Sequence, residues 1–561
     1  MKNSNLIGIL IVLLLSFFSV RMLMPSGFFP MHDDTQVARV FEMKKSLTDG
    51  MLPVRWVEDL GYGFGYPIFN FYAPLAYYVG GVTDLIINDS LLATKVMIAV
   101  GILLAGVFMY LLSKEFWGSV GGVVSAVLYV YAPYHALNVY VRGAVAETFG
   151  YAFVPLAFYG IYKCFTERKW KYVILGSLGF AGIITSHNLT AMMVTPFIVL
   201  LIIILGLISF RRKQLLATRY MLFAIFVGLL LAAFYWLPSL VEMKYTNVLS
   251  QVGGGADFKD HFVCPKQLWE SNWGFGGSVP GCIDGLSFRI GKIHILLAGF
   301  VLLGLTLVKK NLRNKIAILF SAFIVLVSIF LMTSYSHFIW NTLSPMGYFQ
   351  YPWRFLVLAS AATSFAGGGV VWIVGSTHLK LFNKKASIAL GSFLITIIIF
   401  FYAKLFVPQS ILPVTSKELT NKEFINWNIS KISDEYLPKK FSVPKSKSQL
   451  PTQVFEGKDI TIQLSEHKTQ SIVANVVSQN SQTIHANIAY FPAWTATVNE
   501  REAQLTKSPK GMSIKVPKGN SEVSLSYIET SIQKLGNLLS LSGFSILVLG
   551  IIMSRKRRLA K

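Results

Sequence analysis

Long apolar runs separated by short polar loops dominate this chain of 561 residues. They fall near 6–23, 92–112, 118–133, 144–164, 172–186, 190–209, 220–237, 292–308, 315–333, 354–375, 386–407 and 535–553. Runs of about 20 residues match a hydrocarbon core of ~30 Å, so the pattern predicts about twelve helical crossings. A further apolar stretch, 71–87, holds Pro74 and the pair Gly80–Gly81. It reads as a juxtamembrane or re-entrant element. Towards the C-terminus the period changes. Segments 459–464, 471–477, 483–489, 512–516 and 522–527 are short, alternate in polarity and are separated by turn residues, which predicts a small β-sandwich. The stretch 410–451 reads as a partly ordered linker. The expected organisation is a membrane module over 1–407 with polar loops 24–70 and 238–291, a β-rich domain over 408–534, and a last span with a basic tail over 535–561. No internal repeat and no low-complexity tract is visible.

Loop charges orient this arrangement. Lys114, then Lys163, Arg168, Lys169 and Lys171, then Arg211, Arg212, Lys213 and Arg219 occupy alternate loops. Lys309, Lys310, Arg313 and Lys315 continue the series, followed by Lys380, Lys384 and Lys385, and by Arg555, Lys556, Arg557 and Arg558. All share one side if 71–87 does not cross. The positive-inside rule then puts both termini in the cytoplasm and the loops 24–70, 238–291, 334–353 and 408–534 outside the cytoplasmic membrane. The net charge of +24 is therefore a matter of membrane orientation. Nucleic-acid binding would cluster it on one soluble face, and is not expected. Only 14% of residues are charged, against roughly 25% in soluble domains. The first run could be a cleavable signal, but Arg21, Met22 and Leu23 follow it instead of a small-residue cleavage site. It reads as a retained span. Cys164 closes an apolar run, whereas Cys264 and Cys282 share one hydrophilic loop. They can pair if that loop faces an oxidising space.

Several polar residues are candidates for chemistry. Asp33 and Asp34 sit just beyond the first span, before a short helical stretch at 37–47. They suit a general base or a ligand for a divalent cation such as Mg or Mn, and equally a solvated helix cap. Glycines alternate with aromatics over 61–74, a pattern of interfacial anchors or of a packed loop. Arg142 precedes Glu147 in the first turn of the fourth span. An ionisable residue at that depth is a functional candidate, the alternative being a structural ion pair. His187 lies between the fifth and sixth spans, and Gln350 and Arg354 open the tenth. Arg354 can hold an anionic group such as a lipid phosphate or anchor an aromatic belt.

Seven stretches carry a resemblance: MHDDTQVARVFEMKKSL, LPVRWVEDLGYGFGYPIFNFYAPLAYY, YVRGAVAETFGYAFVPL, SHNLTAMM, FYWLPSLVE, QLWESNWGFGGSVPGCIDGLSF and FQYPWRFL. They resemble the bacterial membrane family labelled 6-pyruvoyl-tetrahydropterin synthase-related. The tail, FPAWTATVNE with VPKGNSEVSLSYIET, is similar to YfhO-like membrane proteins. A pterin enzyme needs a zinc-binding histidine cluster, whereas the nine histidines here are scattered. The order of an acidic early loop, many spans and a C-terminal outer domain resembles GT-C-type glycosyltransferases. That resemblance implies a multi-pass enzyme of the cytoplasmic membrane whose active site faces outwards. It would transfer sugar, with inversion, from a polyprenyl-phosphate donor to a glycan, lipid or protein acceptor. Asp33 and Asp34 would be catalytic, with Asp34 a candidate metal ligand. Arg142, Glu147, His187, Gln350 and Arg354, with Trp273 and Asp284 from the cysteine-bearing loop, would bind substrate. The alternatives are a transporter or flippase for lipid-linked glycans, which favours internal repeats, and a scaffold.

Overall fold

The computed structural model describes residues 2–251, 257–306, 311–376 and 384–559. The basic positions Lys309, Lys310 and Lys380 lie outside them. Helices occupy all twelve predicted apolar runs. By length and composition, six described helices are apolar enough to cross a membrane, or eight if two bent pairs each count as one span. Part of the difference lies in Ser90–Arg142, a single stretch on that criterion that contains two of the runs. Within the helix Ser90–Val130, Gly118 takes φ 73° and ψ 179°, left-handed backbone that glycine adopts without penalty. The chain turns back on itself there: Gly106 packs against Val130, and Gly122 against Lys114. The helices Trp170–Ser186 and Lys292–Gly304 are short, at 17 and 13 residues. The protein is thus a multi-pass α-helical membrane protein with a C-terminal β-rich domain.

Small residues let the central helices touch. Gly160 of Val145–Glu167 lies against Gly176 of Trp170–Ser186, a close backbone approach that dispersion rewards in a bilayer. The helix Leu75–Ile87 has 13 residues, about 20 Å at 1.5 Å per residue, too short for a ~30 Å core. Its Gly80 and Gly81 rest on Val40 and Met43 of the helix Gln36–Thr48. Its Asp84 is buried, accepting from Lys44 at 3.3 Å and from Ser90 at 2.5 Å. Val82, Leu85 and Ile86 are exposed. One face is docked and the other is free for lipid, the character of an interfacial helix.

The β-domain comprises β1 (Phe455–Glu456), β2 (Ile460–Lys468), β3 (Ser471–Ser478), β4 (Gln482–Ala486), β5 (Trp494–Val498), β6 (Arg501–Ala503), β7 (Thr506–Ser508), β8 (Gly511–Val516) and β9 (Gly519–Tyr527). Two antiparallel sheets run in the orders β1-β4-β8-β7 and β2-β3-β9-β5-β6. Alternate residues turn inwards: Ile472, Ala474 and Val476 of β3, Val523 and Leu525 of β9, and Met512, Ile514 and Val516 of β8 are buried. Register follows, with Ala474 opposite Val523 and Ile472 opposite Leu525. Four strands were not anticipated. Of these, β1, β6 and β7 have two or three residues, too few for a period to register.

The domain is sutured to the membrane module. Trp56 meets Trp494 edge-on at 5.4 Å, and Asp49 accepts from Thr469 N and Oγ1 at 2.7 and 2.6 Å. Arg55, only 1% exposed, donates to Asn70 (3.0 Å), to Phe234 O (3.0 Å) and to Asn537 (2.8 Å). The glycine–aromatic stretch is a packed loop here: Tyr62, Phe64 and Tyr66 are buried, and Phe64 O accepts from Ala489 N of the β-domain at 2.8 Å. The segment 410–451 is built into the same junction. Leu437, Ile425 and Ile429 are buried, and Ser433 accepts from Arg39 at 3.2 Å.

Candidate active site

Two chain segments meet where the first loop passes the end of the Val145–Glu167 helix. His32 N donates to Val141 O at 3.0 Å and Asp33 N to Arg142 O at 2.9 Å. Gln36 Nε2 donates to Gly143 O at 2.8 Å, and Tyr77 donates to Gln36 Oε1 at 2.8 Å. Gly143 makes this possible. Its φ is +66°, and a Cβ there would overlap the Met31 side chain. The acidic pair is thereby fixed beside Arg142. Asp33 is exposed and Asp34 half-buried, and burial raises the pKa of Asp34. Among the described residues, no hydrogen bond or ion pair engages either carboxylate.

Beneath them lies a buried polar cluster. Arg142 Nη1 donates to Glu147 Oε2 at 2.8 Å and to Asn138 Oδ1 at 2.5 Å. Tyr134 donates to Glu147 Oε1 at 2.5 Å, and Asn138 Nδ2 to the same oxygen at 3.3 Å. Glu147 is 1% exposed, so the two form a buried ion pair. The guanidinium of Arg142 also stacks on Trp353 at 4.7 Å. Tyr134, Asn138 and Trp353 were not singled out from the sequence. Their signal was there: Tyr134, Asn138 and Arg142 recur every four residues, the spacing of one helical face.

Arg354 and His187 stand within electrostatic reach of Glu147. Arg354 is less committed than Arg142. Its Nη1 donates to Phe349 O at 3.1 Å, its guanidinium lies 5.1 Å from the Tyr351 ring, and its Nε is buried without a partner. His187 Nδ1 caps the next helix, 2.8 Å from Thr190 Oγ1 and accepting from Thr190 N at 3.3 Å. Burial lowers its pKa to about 4, against the pull of the Glu147 carboxylate. Gln350 turns the chain just before Arg354, at φ +61°.

The cysteine-bearing loop closes one side. Cys264 and Cys282 are bonded, with Cα atoms 5.6 Å apart. Asp284 accepts from Gln267 (2.8 Å), Ser271 (2.7 Å) and Asn272 N (2.9 Å). Burial works against its ionisation, but these donors and nearby Arg289 hold its pKa below the usual carboxylate value. Asp284 therefore organises the loop. Trp273 is half-buried, with Arg289 5.6 Å from its ring. The loop reaches the acidic pair through Phe275 O, 3.0 Å from His32 Nε2, and reaches the arginines through Ser278, which accepts from Trp353 Nε1 at 3.1 Å. Among the described residues, no three His, Cys, Asp or Glu side chains converge as a metal site.

Comparison with known proteins sets this arrangement in context. A family model described as 6-pyruvoyl-tetrahydropterin synthase related domain, membrane protein, matches residues 69–405. A second, described as bacterial membrane protein YfhO, matches 441–540. An uncharacterized protein of Lactococcus lactis subsp. cremoris (strain MG1363) is 24% identical over 215 residues, covering 37% of this chain and 35% of that protein. The match thus spans about a third of the relative's length. Three solved structures are similar at low sequence identity. The apo oligosaccharyltransferase of Archaeoglobus fulgidus has a TM-score of 0.45 at 12% identity, over 81% of this chain and 62% of that one. Arabinofuranosyltransferase AftD from mycobacteria gives 0.42 at 12%, over 74% and 28%. ArnT from Cupriavidus metallidurans, bound to undecaprenyl phosphate, gives 0.27 at 10%, over 72% and 89%. Since the first model covers more than half of the 561 residues, this chain belongs to the 6-pyruvoyl-tetrahydropterin synthase-related membrane protein family.

Proposed function

We propose that this protein is a membrane glycosyltransferase that moves a sugar from a polyprenyl-phosphate donor to an acceptor hydroxyl or amide on the extracytoplasmic side of the cytoplasmic membrane. The observation that carries this reading is the contrast between Asp33 and Asp34, whose carboxylates have no protein partner among the described residues, and the buried ion-paired cluster they adjoin. Glu147 and Asp284 are held by hydrogen bonds within the protein, whereas Asp33 and Asp34 are accessible to an incoming nucleophile. In the proposed reaction Asp33 takes the proton of the acceptor nucleophile. The acceptor attacks the anomeric carbon, and the bond from that carbon to the phosphate oxygen breaks with inversion. Arg354, with donors to spare, receives the charge of the departing polyprenyl phosphate. Arg142 is already neutralised by Glu147 and stiffens the wall through Trp353.

The same residues fit a divalent cation. Magnesium is commonly held by one or two carboxylates and completes its shell with water and substrate phosphate. Asp34, half-buried with no partner among the described residues, would hold it, and the ion would supply further charge for the phosphate. The test is direct. Purified protein is supplied with labelled polyprenyl-phosphate sugars and envelope membranes as acceptor. The proposal expects label in the acceptor and free polyprenyl phosphate. Absence of transfer across the common polyprenyl-phosphate sugars, with and without Mg or Mn, would remove it.

A further inference from the structure

A large cavity, of about 470 Å³, lies away from the acidic pair and enters the protein between the helices Ser90–Val130, Val145–Glu167, Asn188–Arg211, Leu312–Met332 and Leu356–Gly367. Its walls are apolar, with Phe158, Leu201, Leu205, Ile324 and Leu358 among them. Its mouth is not. Arg211, Arg212 and Arg313 line it and are exposed, and no acidic residue joins them. This is the end where the basic loops gather, opposite the end that carries Asp33 and Arg354.

Two further observations point to an anion at the mouth. Tyr162 also lines the cavity. It is 7% exposed, and its buried hydroxyl lies beside the Arg313 guanidinium at the mouth. The phenol and the guanidinium together present donors to a ligand oxygen at the mouth. In addition, the helix Leu312–Met332 begins here. Its cap, Asn311, satisfies Asn314 N, and an anion is favoured at such a helix start. From Arg313 to Ile324 the wall runs eleven residues along that helix, about 17 Å at 1.5 Å per residue. A ligand that fits must be anionic at one end and hydrocarbon over the rest.

We infer that this cavity is a binding site for a membrane lipid with an anionic phosphate head, its phosphate on Arg211, Arg212 and Arg313 and its chain between the helices. The site stands independently of the transfer reaction proposed above. Free phosphate would satisfy the mouth alone, and a neutral lipid the walls alone.

Native mass spectrometry of the full chain in detergent tests this, with four probes: dioleoyl phosphatidylglycerol, a polyprenyl monophosphate, dioleoyl phosphatidylcholine and inorganic phosphate. The site predicts retention of the first or second, whichever is its natural source, and markedly weaker retention of phosphatidylcholine and of phosphate. Each arginine near a membrane surface is worth about five-fold in affinity for an anionic lipid, so the triple variant Arg211→Gln, Arg212→Gln, Arg313→Gln should bind about 100-fold more weakly. Leu205→Trp fills the cavity while leaving every arginine in place, and should also lose retention. Unchanged elution in gel filtration separates both effects from misfolding. Retention of neither anionic lipid above that of phosphatidylcholine, or undiminished binding in both variants, would show only annular lipid and overturn the site.

Discussion

Arg142 and Glu147, five residues apart across a turn, form a buried ion pair in which Nη1 donates to Oε2 at 2.8 Å. The pair decides how the neighbouring residues divide. Because Glu147 neutralises Arg142, the guanidinium can be buried under Trp353 and used as a wall, while Arg354 is left as the cation with capacity for a ligand.

Breaking this pair by one partner should therefore be costly. Glu147→Gln or Arg142→Met should each destabilise the protein by about 3–5 kcal/mol, the range for stranding a buried charge. The double variant should cost much less than the sum. Thermal unfolding in detergent, run as a double-mutant cycle, measures this. Additive losses would mean that the two side chains do not act as a pair.

Arg354→Ala should leave folding nearly intact and act on the donor. Loss of a hydrogen bond to a charged group is worth about 1.5–3 kcal/mol, so the KM for the polyprenyl-phosphate sugar should rise by roughly ten- to a hundred-fold. Kinetics at varied donor and saturating acceptor report it. An unchanged KM would assign the phosphate to another residue.

Gly143→Ala probes the placement of the acidic loop. A left-handed non-glycine residue costs on the order of 1–3 kcal/mol, and here the methyl would also press on Met31. Because displacement of catalytic groups by an ångström can cost about 10²-fold, transfer should fall far more than thermal stability. Equal losses in both would indicate general unfolding.

The junction between the first loop and the β-domain carries a pH-dependent contact. His467 Nε2 lies 2.8 Å from Glu58 Oε1. The hydrogen bond to Glu58 raises the pKa of His467 above 6.5, against its burial. Burial would raise that of Glu58, but His467 and Lys45 lower it from 4.5 to about 2. The histidine contribution is complete below 6.5 and fades as pH rises through its folded value. The glutamate contribution is complete above 4.5 and fades as pH falls towards about 2. Docking should thus be strongest between about 4.5 and 6.5. Limited proteolysis of the β-domain should show the unmodified protein better protected than His467→Ala in that window, with the difference shrinking above it. A difference independent of pH would remove the ion pair from the explanation.

The membrane part of this fold was legible in the sequence because the bilayer demands long apolar runs wherever a helix crosses. The β-domain was legible where strands are long enough to alternate, as in β3 and β9, and not in β6 or β7. Asp33 and Asp34 stood out by position, and Arg142 and Glu147 by depth. What could not be read was commitment. The three donors that hold Asp284 within its own loop were not visible, and Arg55 gave no signal although it ties Asn70 to Phe234 and Asn537, 179 and 482 residues from it in sequence. Such contacts are set by tertiary packing and leave no local spacing to detect.

The central claim is that Asp33 acts as a base in sugar transfer, and one measurement addresses it most directly. Single-turnover transfer from a labelled polyprenyl-phosphate sugar is compared between the unmodified protein and the Asp33→Asn and Asp34→Asn variants, each shown to be inserted and folded by its melting profile. Removal of a general base lowers the rate by about 10²–10⁴, and that loss is expected for Asp33→Asn. Asp34→Asn should lose rate in a manner that depends on added Mg or Mn. Transfer at the unmodified rate by both folded variants would contradict the account.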